Sequence, residues 1–458
     1  MEVHSTPMEK TIRALLDGKK YQTLKDVLVT WEPADLAAIF EALDEERTPL
    51  LFRLLPKETA AETFAELPPE NQELLIRGFS DRELHDLVNE LYVDDAADLV
   101  EEMPANVVKR ILEQADPQMR KEINEILRYP ENSAGSIMTT EYISLRPTMT
   151  VEEAIRRIRK TGVDKETIYT CYVTSERKLL GTVSVKDLLL AEDDAAPVSQ
   201  IMDENVISVG TLTDQEEVAQ KLSKYNFLAL PVLDTDGRMV GIVTFDDAMD
   251  VMVEETTEDI EKMAAILPTE KPYLRSNSWD LFKHRIPWLM LLMVSATFTG
   301  MIITGFENKL AAQVVLTAFI PMLMDTGGNS GSQASVTVIR ALSLGELELN
   351  DLPRVIWKEI QTAVLCGVAL ATLCFAKIML FDRLLLGNTS ITVMTAFTVC
   401  FTMAVTVMMA KIVGCTLPML AKRIGFDPAV MASPFITTIV DALSLLVYFG
   451  IASALLFG

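Results

Sequence analysis

The sequence is poor in the residues that build most catalytic and structural metal centres. It has three histidines and five cysteines in 458 residues. The cysteines, Cys171, Cys366, Cys374, Cys400 and Cys415, form no CxxC pair, are odd in number, and mostly fall in apolar stretches. This pattern argues against a disulfide framework and a cysteine zinc site, and it reads as small buried hydrophobes in a reducing compartment. His4 and His85 are isolated and read as surface residues. There is no nucleophile–base constellation, so an enzyme is not expected. The start, MEVHSTPMEKTIRALLDGKK, lacks the apolar core of a signal peptide, so the N-terminal half is expected to remain in the cytosol.

Positive charge is also short. Sixty-five acids against forty-one Lys and Arg give a formal charge of −24. From Ile286 onward nine acids meet nine bases, so the whole excess lies before Ile286. An acidic half of this kind argues against nucleic acid and for metal cations or solubility.

The last stretch, Asp427 to Gly458, carries no charge beyond Asp427 itself except Asp441. It is long and apolar enough to be a membrane span. An acid at the centre of a span costs about 2.5–3.5 kcal/mol on insertion scales, so it faces an ion path or a partner inside the bundle. Helix-to-helix glue is the plainer alternative.

Residues 1–132 read as an acidic all-α domain of short paired helices. Related phrases recur at 34–43 (ADLAAIFEAL), 59–68 (TAAETFAELP), 82–92 (RELHDLVNELY) and 95–104 (DAADLVEEMP), which suggests a small solenoid-like array. Residues 133–253 contain a duplication. SIMTTEYISLRPTMTVEEAIRRIRK opens one copy and QIMDENVISVGTLTDQEEVAQKLSK the other. Each reads strand, helix, strand, strand, helix, and GTVSVKD at Gly181–Asp187 aligns with GIVTFDD at Gly241–Asp247. The pair resembles tandem α/β CBS domains, 133–198 and 199–253. That resemblance implies a nucleotide cleft, with Ser184 and Asp187, and Thr244 and Asp247, as the hydroxyl and ribose-binding carboxylate positions. A hydroxyl three residues before an acid is equally an ordinary helix cap.

The stretch 246–270 reads as a connecting helix. Between Asp246 and Asp259 it has seven acids and no base. Asp247, Asp250, Glu254 and Glu258 form one stripe, with Glu255 and Asp259 beside it. Like charges at this spacing repel by a few tenths of a kcal/mol each, and hard oxygen ligands suit Mg²⁺ or Ca²⁺. A solvated face is the alternative. Asp94 and Asp95 are candidate partners from the helical domain. Residues 271–285 form a basic juxtamembrane linker.

Residues 286–458 contain five expected spans: 286–306, 314–342, 355–381, 391–418 and 429–457. The distribution of Lys and Arg between loops puts the N-terminus in the cytoplasm and the C-terminus outside, with Lys377 and Lys411 snorkelling from span ends. The second span carries Gly327, Gly328, Asn329, Ser330, Gly331, Ser332 and Gln333 in mid-run. That composition suggests close helix packing or a broken helix lining a polar cavity. In the last span Pro434, Thr437 and Thr438 precede Asp441 and are expected to loosen the helix and bare oxygen atoms.

With the motifs MLMDTGGNSGSQAS and DPAVMASPFITTIVDALSLL, and a helical domain, a CBS pair, an acidic helix and five spans in that order, the chain resembles the MgtE family of magnesium transporters over nearly its whole length. The resemblance implies a homodimeric Mg²⁺ channel of the plasma (inner) membrane. Asp441 would be the pore carboxylate, with Asn329, Gly328, Pro434, Thr437 and Thr438 along the path. The connecting helix would be a plug. Asp94, Asp95, Asp247, Asp250, Glu255, Glu258 and Asp259 would be sensor acids that close the pore when Mg²⁺ binds, Glu254 would lie on their stripe, and Asp427 would sit at the cytoplasmic mouth. ATP in the CBS cleft could tune the balance. The competing readings are a nucleotide-sensing receptor that transports nothing, a transporter for Co²⁺, Mn²⁺ or Ca²⁺, and a CBS-regulated anion channel, which the acid in the path disfavours.

Overall fold

Proline sets many of the helix starts in the N-terminal part. Pro33, Pro69 and Pro117 each open a helix, where the missing N–H is not needed. Pro56, Pro68 and Pro104 each stand immediately before one. Among the described residues these are the short helices α1 Pro7–Asp17, α2 Tyr21–Leu28, α3 Pro33–Ala42, α4 Thr48–Phe52, α5 Lys57–Ala65, α6 Pro69–Gly78, α7 Asp81–Val88, α8 Val93–Glu102, α9 Ala105–Gln114 and α10 Pro117–Ile126. The four recurring phrases fall on α3, α5, α7 and α8. Helix α3 packs on α5, α5 on α7, α7 on α9 and α8 on α10, the neighbour-to-neighbour stacking of a helical array. Leu36, Phe40, Phe64, Leu84 and Leu99 share its core. His85 is exposed and its Nδ1 lies 2.7 Å from the Gln114 carbonyl oxygen.

This computed structural model describes residues 7–44, 46–269, 273, 276–388, 390–431 and 433–456. His4 and the linker positions Lys271 and Arg275 lie outside the described residues. The chain divides into two units, 1–252 and 253–458.

The duplicated segment folds twice to one plan. The first copy has β1 Ser144–Leu145, α11 Val151–Thr161, β2 Thr170–Ser175, β3 Lys178–Ser184 and α12 Val185–Leu189. The second has β4 Val209–Gly210, α13 Gln215–Tyr225, β5 Ala229–Leu233, β6 Met239–Thr244 and α14 Phe245–Met263. In both, the first strand runs parallel to the second and the third antiparallel to it. The copies also exchange their opening segments. Thr139 and Ile242 bond reciprocally, N–H to carbonyl, at 2.8 and 2.9 Å, as do Asp203 and Thr182 at 2.8 and 2.9 Å. The division at 198/199 in the sequence is therefore not the division in space. The exchange explains the shared glycine of the two motifs. A Cβ on Gly181 would lie 2.8 Å from the Asp203 carbonyl oxygen, and one on Gly241 would lie 2.7 Å from that of Thr139.

Among its described residues the second unit has five long helices: α15 Ser278–Gly305, then, after the short α16 Glu307–Ala312, α17 Ile320–Ser343, α18 Leu352–Lys377, α19 Val393–Arg423 and α20 Ser433–Leu456. Among the described residues, four helical stretches, those of α15, α18, α19 and α20, are long and apolar enough to cross a membrane. Helix α17 has the length, 24 residues, or about 36 Å at the usual rise, and its polar middle lies against α19 and α20.

Two local expectations change here. Helix α17 is continuous through its glycines and is not broken. Its small residues permit close packing: a Cβ on Gly414 of α19 would lie 2.2 Å from the Gly331 carbonyl oxygen. Pro434 is the second residue of α20, where it starts the helix and does not loosen it.

Candidate functional site

Helices α17 and α20 build the surroundings of Asp441. Gly327 meets Ser444 and Val440, Gly328 meets Thr437, and Gly331 meets Ile436. Ser433 donates to Ser332 at 3.0 Å, and Ser335 donates to the Met431 carbonyl oxygen at 2.8 Å. Residue numbers rise on one helix as they fall on the other, so the pair is antiparallel. The same register sets Asp325 level with Asp441, and Asp325 is the charged side chain in the electrostatic surroundings of Asp441. Asn329 donates to Asp325 at 3.2 Å from one turn away. Thr437 and Thr438 both donate to the Pro434 carbonyl oxygen, at 3.0 and 2.9 Å, so their oxygens remain acceptors. Gly328, Asn329, Thr437 and Asp441 thus lie along one helix–helix seam, and Asp325 joins them.

A second charged pair crosses the bundle. Lys411 of α19 has a side chain 6 % exposed and lies 3.6 Å from Glu359 of α18. It does not snorkel as expected. At this burial an unpaired ammonium is costly, and Glu359 is its counter-ion. Lys377 is half-exposed and pairs with Asp382 at 2.8 Å.

In the first unit, acids converge where α8 meets the CBS pair. Asp94 is buried, and its Oδ1 accepts from the Asp95 N–H at 3.1 Å. Burial, then Asp247, raises both Asp94 and Asp95. Asp247 of α14 is raised by burial, partly offset by the bond it accepts from Thr244. Glu166, in the loop before β2, has a buried carboxylate oxygen without a hydrogen-bond partner. Burial and Asp247 push it up to about 8. Asp98 opens on a crevice that also holds Asp95 and Glu102, and burial, then the Asp95 charge, raises it as well. Burial and Asp246 raise Asp250. Among the described residues, no group of three Asp, Glu, His or Cys side chains has the geometry to chelate a metal ion. Carboxylates in ones and twos suit an ion that keeps most of its waters, as Mg²⁺ does.

The membrane end of the acidic stripe lies in the second unit. Lys262, one turn after Glu258, reaches Glu258 at 2.6 Å and Asp427 at 2.7 Å. Burial works against the Lys262 charge, but its bonds to Asp427 and Glu258 outweigh that and hold it above the usual range. Asp259 accepts from Ser343 at 3.2 Å. Glu254 is exposed and Glu255 half-buried.

The expected nucleotide positions have two fates. Ser184 donates to Asp187 at 2.5 Å and accepts from the Asp187 N–H at 3.0 Å, a capping box that starts α12. Ser184 also lines an open cleft of about 510 Å³ with Tyr169, Lys186, Leu190 and Leu228. An exposed aromatic ring, a hydroxyl and a lysine fit a base and a phosphate. In the second copy Thr244 is buried and Asp247 belongs to the acid cluster.

The chain was then compared with known proteins. A family model for MgtE, described as a divalent cation transporter, matches residues 320–451, and one for the MgtE intracellular N domain matches 31–132. CBS-domain models match 134–194 and 198–254. The magnesium transporter MgtE of Thermus thermophilus is 38% identical over 448 residues, 97% of this chain and 97% of the relative. The chain belongs to the MgtE family. The magnesium transporter MgtE of Bacillus subtilis is 32% identical over 450 residues, covering 97% of this chain and 96% of that one. A crystal structure of the cytosolic domain of the Mg²⁺ channel MgtE in complex with ATP superposes with a TM-score of 0.51 at 39% identity. It covers 53% of this chain and 99% of that one. Another, of the soluble part of a magnesium transporter, has a TM-score of 0.51 at 30% identity and covers 54% and 97%. These relatives are transporters and not enzymes, and the chain is a multi-pass membrane protein. The MgtE membrane match begins at α17 and takes in α18, α19 and α20, the helices that hold Asp325 and Asp441.

Sequence reading missed four participants. Asp325 was visible one turn before Asn329, and Lys262 one turn after Glu258. Glu166 has no local signal, and the Glu359–Lys411 pair joins residues on different spans.

Proposed function

We propose that this MgtE chain conducts Mg²⁺ into the cell as a homodimer, with the N-terminus cytoplasmic and the C-terminus outside. The observation that carries the reading is the α17–α20 seam, which sets Asp325 level with Asp441 amid hydroxyl and amide oxygens. Relatives named as magnesium transporters align along nearly the full length. Asp441 from two subunits would hold a hydrated divalent ion through its waters, and Asn329, Gly328, Pro434, Thr437 and Thr438 would line the approach. Asp94, Asp95, Asp247 and Asp250 would take up cytosolic Mg²⁺. The ion relieves their mutual repulsion, so the closed state binds it more tightly than the open one. Glu254 and Glu255 extend the same stripe. ATP in the cleft at Tyr169 and Ser184 would shift the balance.

The test is Mg²⁺ flux into proteoliposomes containing wild-type protein or Asp441→Ala, with Co²⁺, Mn²⁺ and Ca²⁺ as competitors. Flux in the wild type and its loss in the variant are expected. Equal flux in both would remove Asp441 from the path.

A further inference from the structure

Helices α18 and α19 run antiparallel along one seam, and three contacts mark its length. Glu359 lies 3.6 Å from Lys411 at one end. In the middle Gly367 packs on Ala404, and a Cβ on the glycine would lie 3.4 Å from the Ala404 carbonyl oxygen. At the other end Cys374 of α18 and Cys400 of α19 meet thiol to thiol in a side-chain hydrogen bond. Both cysteines are free and buried, each 6 % exposed. They share one apolar cluster with Ile378, Ala396 and Met403.

Two thiols in contact from different helices have the arrangement of a reduced disulfide. A disulfide needs its Cβ atoms about 3.5–4.5 Å apart, so a pair already in contact needs a small approach and no rearrangement. Beyond Lys377 the chain enters a wider helical stretch, Ile378–Leu385, and the Leu386 N–H donates to the Phe381 carbonyl oxygen five residues back. Such wide turns are uncommon and occur often at functional sites. Leu373, Phe397 and Phe401, beside the two cysteines, are exposed. In this multi-pass protein they face lipid, so an oxidant that reaches the thiols is one that dissolves there. The Phe397 and Phe401 rings are stacked with only 7° between their planes, a surface on which a flat uncharged ring can lie. With the N-terminus cytoplasmic, as proposed above, this end of the seam is the outer one, away from the thiol pool that keeps cytosolic disulfides reduced.

We propose that Cys374 and Cys400 form a reversible disulfide that ties α18 to α19, with a bilayer-soluble quinone as the oxidant. Two S–H bonds break and one S–S bond forms. The two electrons and two protons pass to the quinone, which leaves as the quinol, and a dithiol reverses the change. The bond joins α18 and α19 into one body. Helix α19 in turn packs on α17, Gly414 against Gly331 and Thr406 against Gly327. Oxidation therefore restrains the helix that backs the seam of Asp325 and Asp441. The link itself does not depend on the transport reading above, whereas its effect on flux rests on it.

The experiment treats the full-length protein in lipid vesicles with a fully substituted quinone, which cannot add thiols to its ring, and then alkylates the thiols that remain. Peptide mass spectrometry is expected to find Cys374 joined to Cys400 with the loss of both thiol hydrogens, and Cys171, Cys366 and Cys415 alkylated. Oxidation should raise the thermal unfolding midpoint by several degrees and lower Mg²⁺ flux at least about fivefold. Dithiothreitol should reverse both. Cys374→Ala and Cys400→Ala should each abolish the response, and either one serves if the other does not fold. Separate alkylation of Cys374 and Cys400 after quinone treatment would overturn the proposal, as would a linked protein whose midpoint and flux match those of the reduced one. A wild type that carries no Mg²⁺ before oxidation defeats the transport reading, and mass and midpoint still decide the link.

Discussion

The Ser433 hydroxyl donates to Ser332 at 3.0 Å, and with the contacts of Gly327, Gly328 and Gly331 that bond marks the register of α20 against α17. A register slip of one residue would turn Asp325 away from Asp441 by about 100° around its helix. The two acids belong to different spans, and neither is the other's counter-ion. Two like charges at one level repel, and a cation between them relieves that repulsion.

Neutralising the two acids should therefore have graded effects. Asp441→Asn is expected to abolish Mg²⁺ flux. Asp325→Asn should reduce it on the order of tenfold, the equivalent of about 1.4 kcal/mol of lost attraction. Initial rates in proteoliposomes measure both. Full flux in Asp325→Asn would show that the α17 acid stands outside the path.

The glycine contacts predict where an added methyl is tolerated. Gly414→Ala would force a Cβ to within 2.2 Å of the Gly331 carbonyl oxygen. It should cost about 1–3 kcal/mol or more as overpacking. Gly300→Ala on α15 meets nothing within 4 Å and should be neutral or slightly stabilising. Thermal unfolding in detergent should separate the two by several degrees.

The acids around α8 predict a pH effect. Glu166 takes up its proton at about 8 in the folded protein, against about 4.3 for a free glutamate. A raised value means that the stability it contributes is full below about pH 4. That stability is lost as pH rises through about 8. Asp94, Asp95 and Asp247 shift in the same direction. Mg²⁺ binding to the full-length protein should tighten between pH 6 and 8.5 and release protons. Titration calorimetry in buffers of different ionisation enthalpy reads that release. Glu166→Gln should lower the number of protons released.

The intramembrane pair predicts a rescue. Lys411→Met alone leaves Glu359 buried and uncompensated and should cost about 3–5 kcal/mol. Adding Glu359→Met removes the stranded charge and should recover most of the loss. Size-exclusion profiles and unfolding midpoints of the single and double variants check this. A double variant no better than the single would show that the two side chains act separately.

Much of the architecture was legible in short windows of sequence. The helix starts follow from prolines and capping residues, because a helix end is satisfied within about four residues. The CBS duplication was legible because Gly181 and Gly241 recur in one local motif. The reason for those glycines was not. It lies in Met202–Asp203 and Met138–Thr139, which each copy receives from the other.

Asp441 marks the same boundary for the candidate site. The sequence by itself determined that a costly acid sits in an apolar helix, since charge and hydropathy are properties of consecutive residues. Only the tertiary structure decided that Asp325 stands level with it, that Lys411 is answered by Glu359, and that Lys262 reaches Asp427. Those relations join residues 52 to 165 positions apart in the chain. They depend on which helix faces pack together, and the close approach of Gly331 to Gly414 and of Gly328 to Thr437 is what sets those faces.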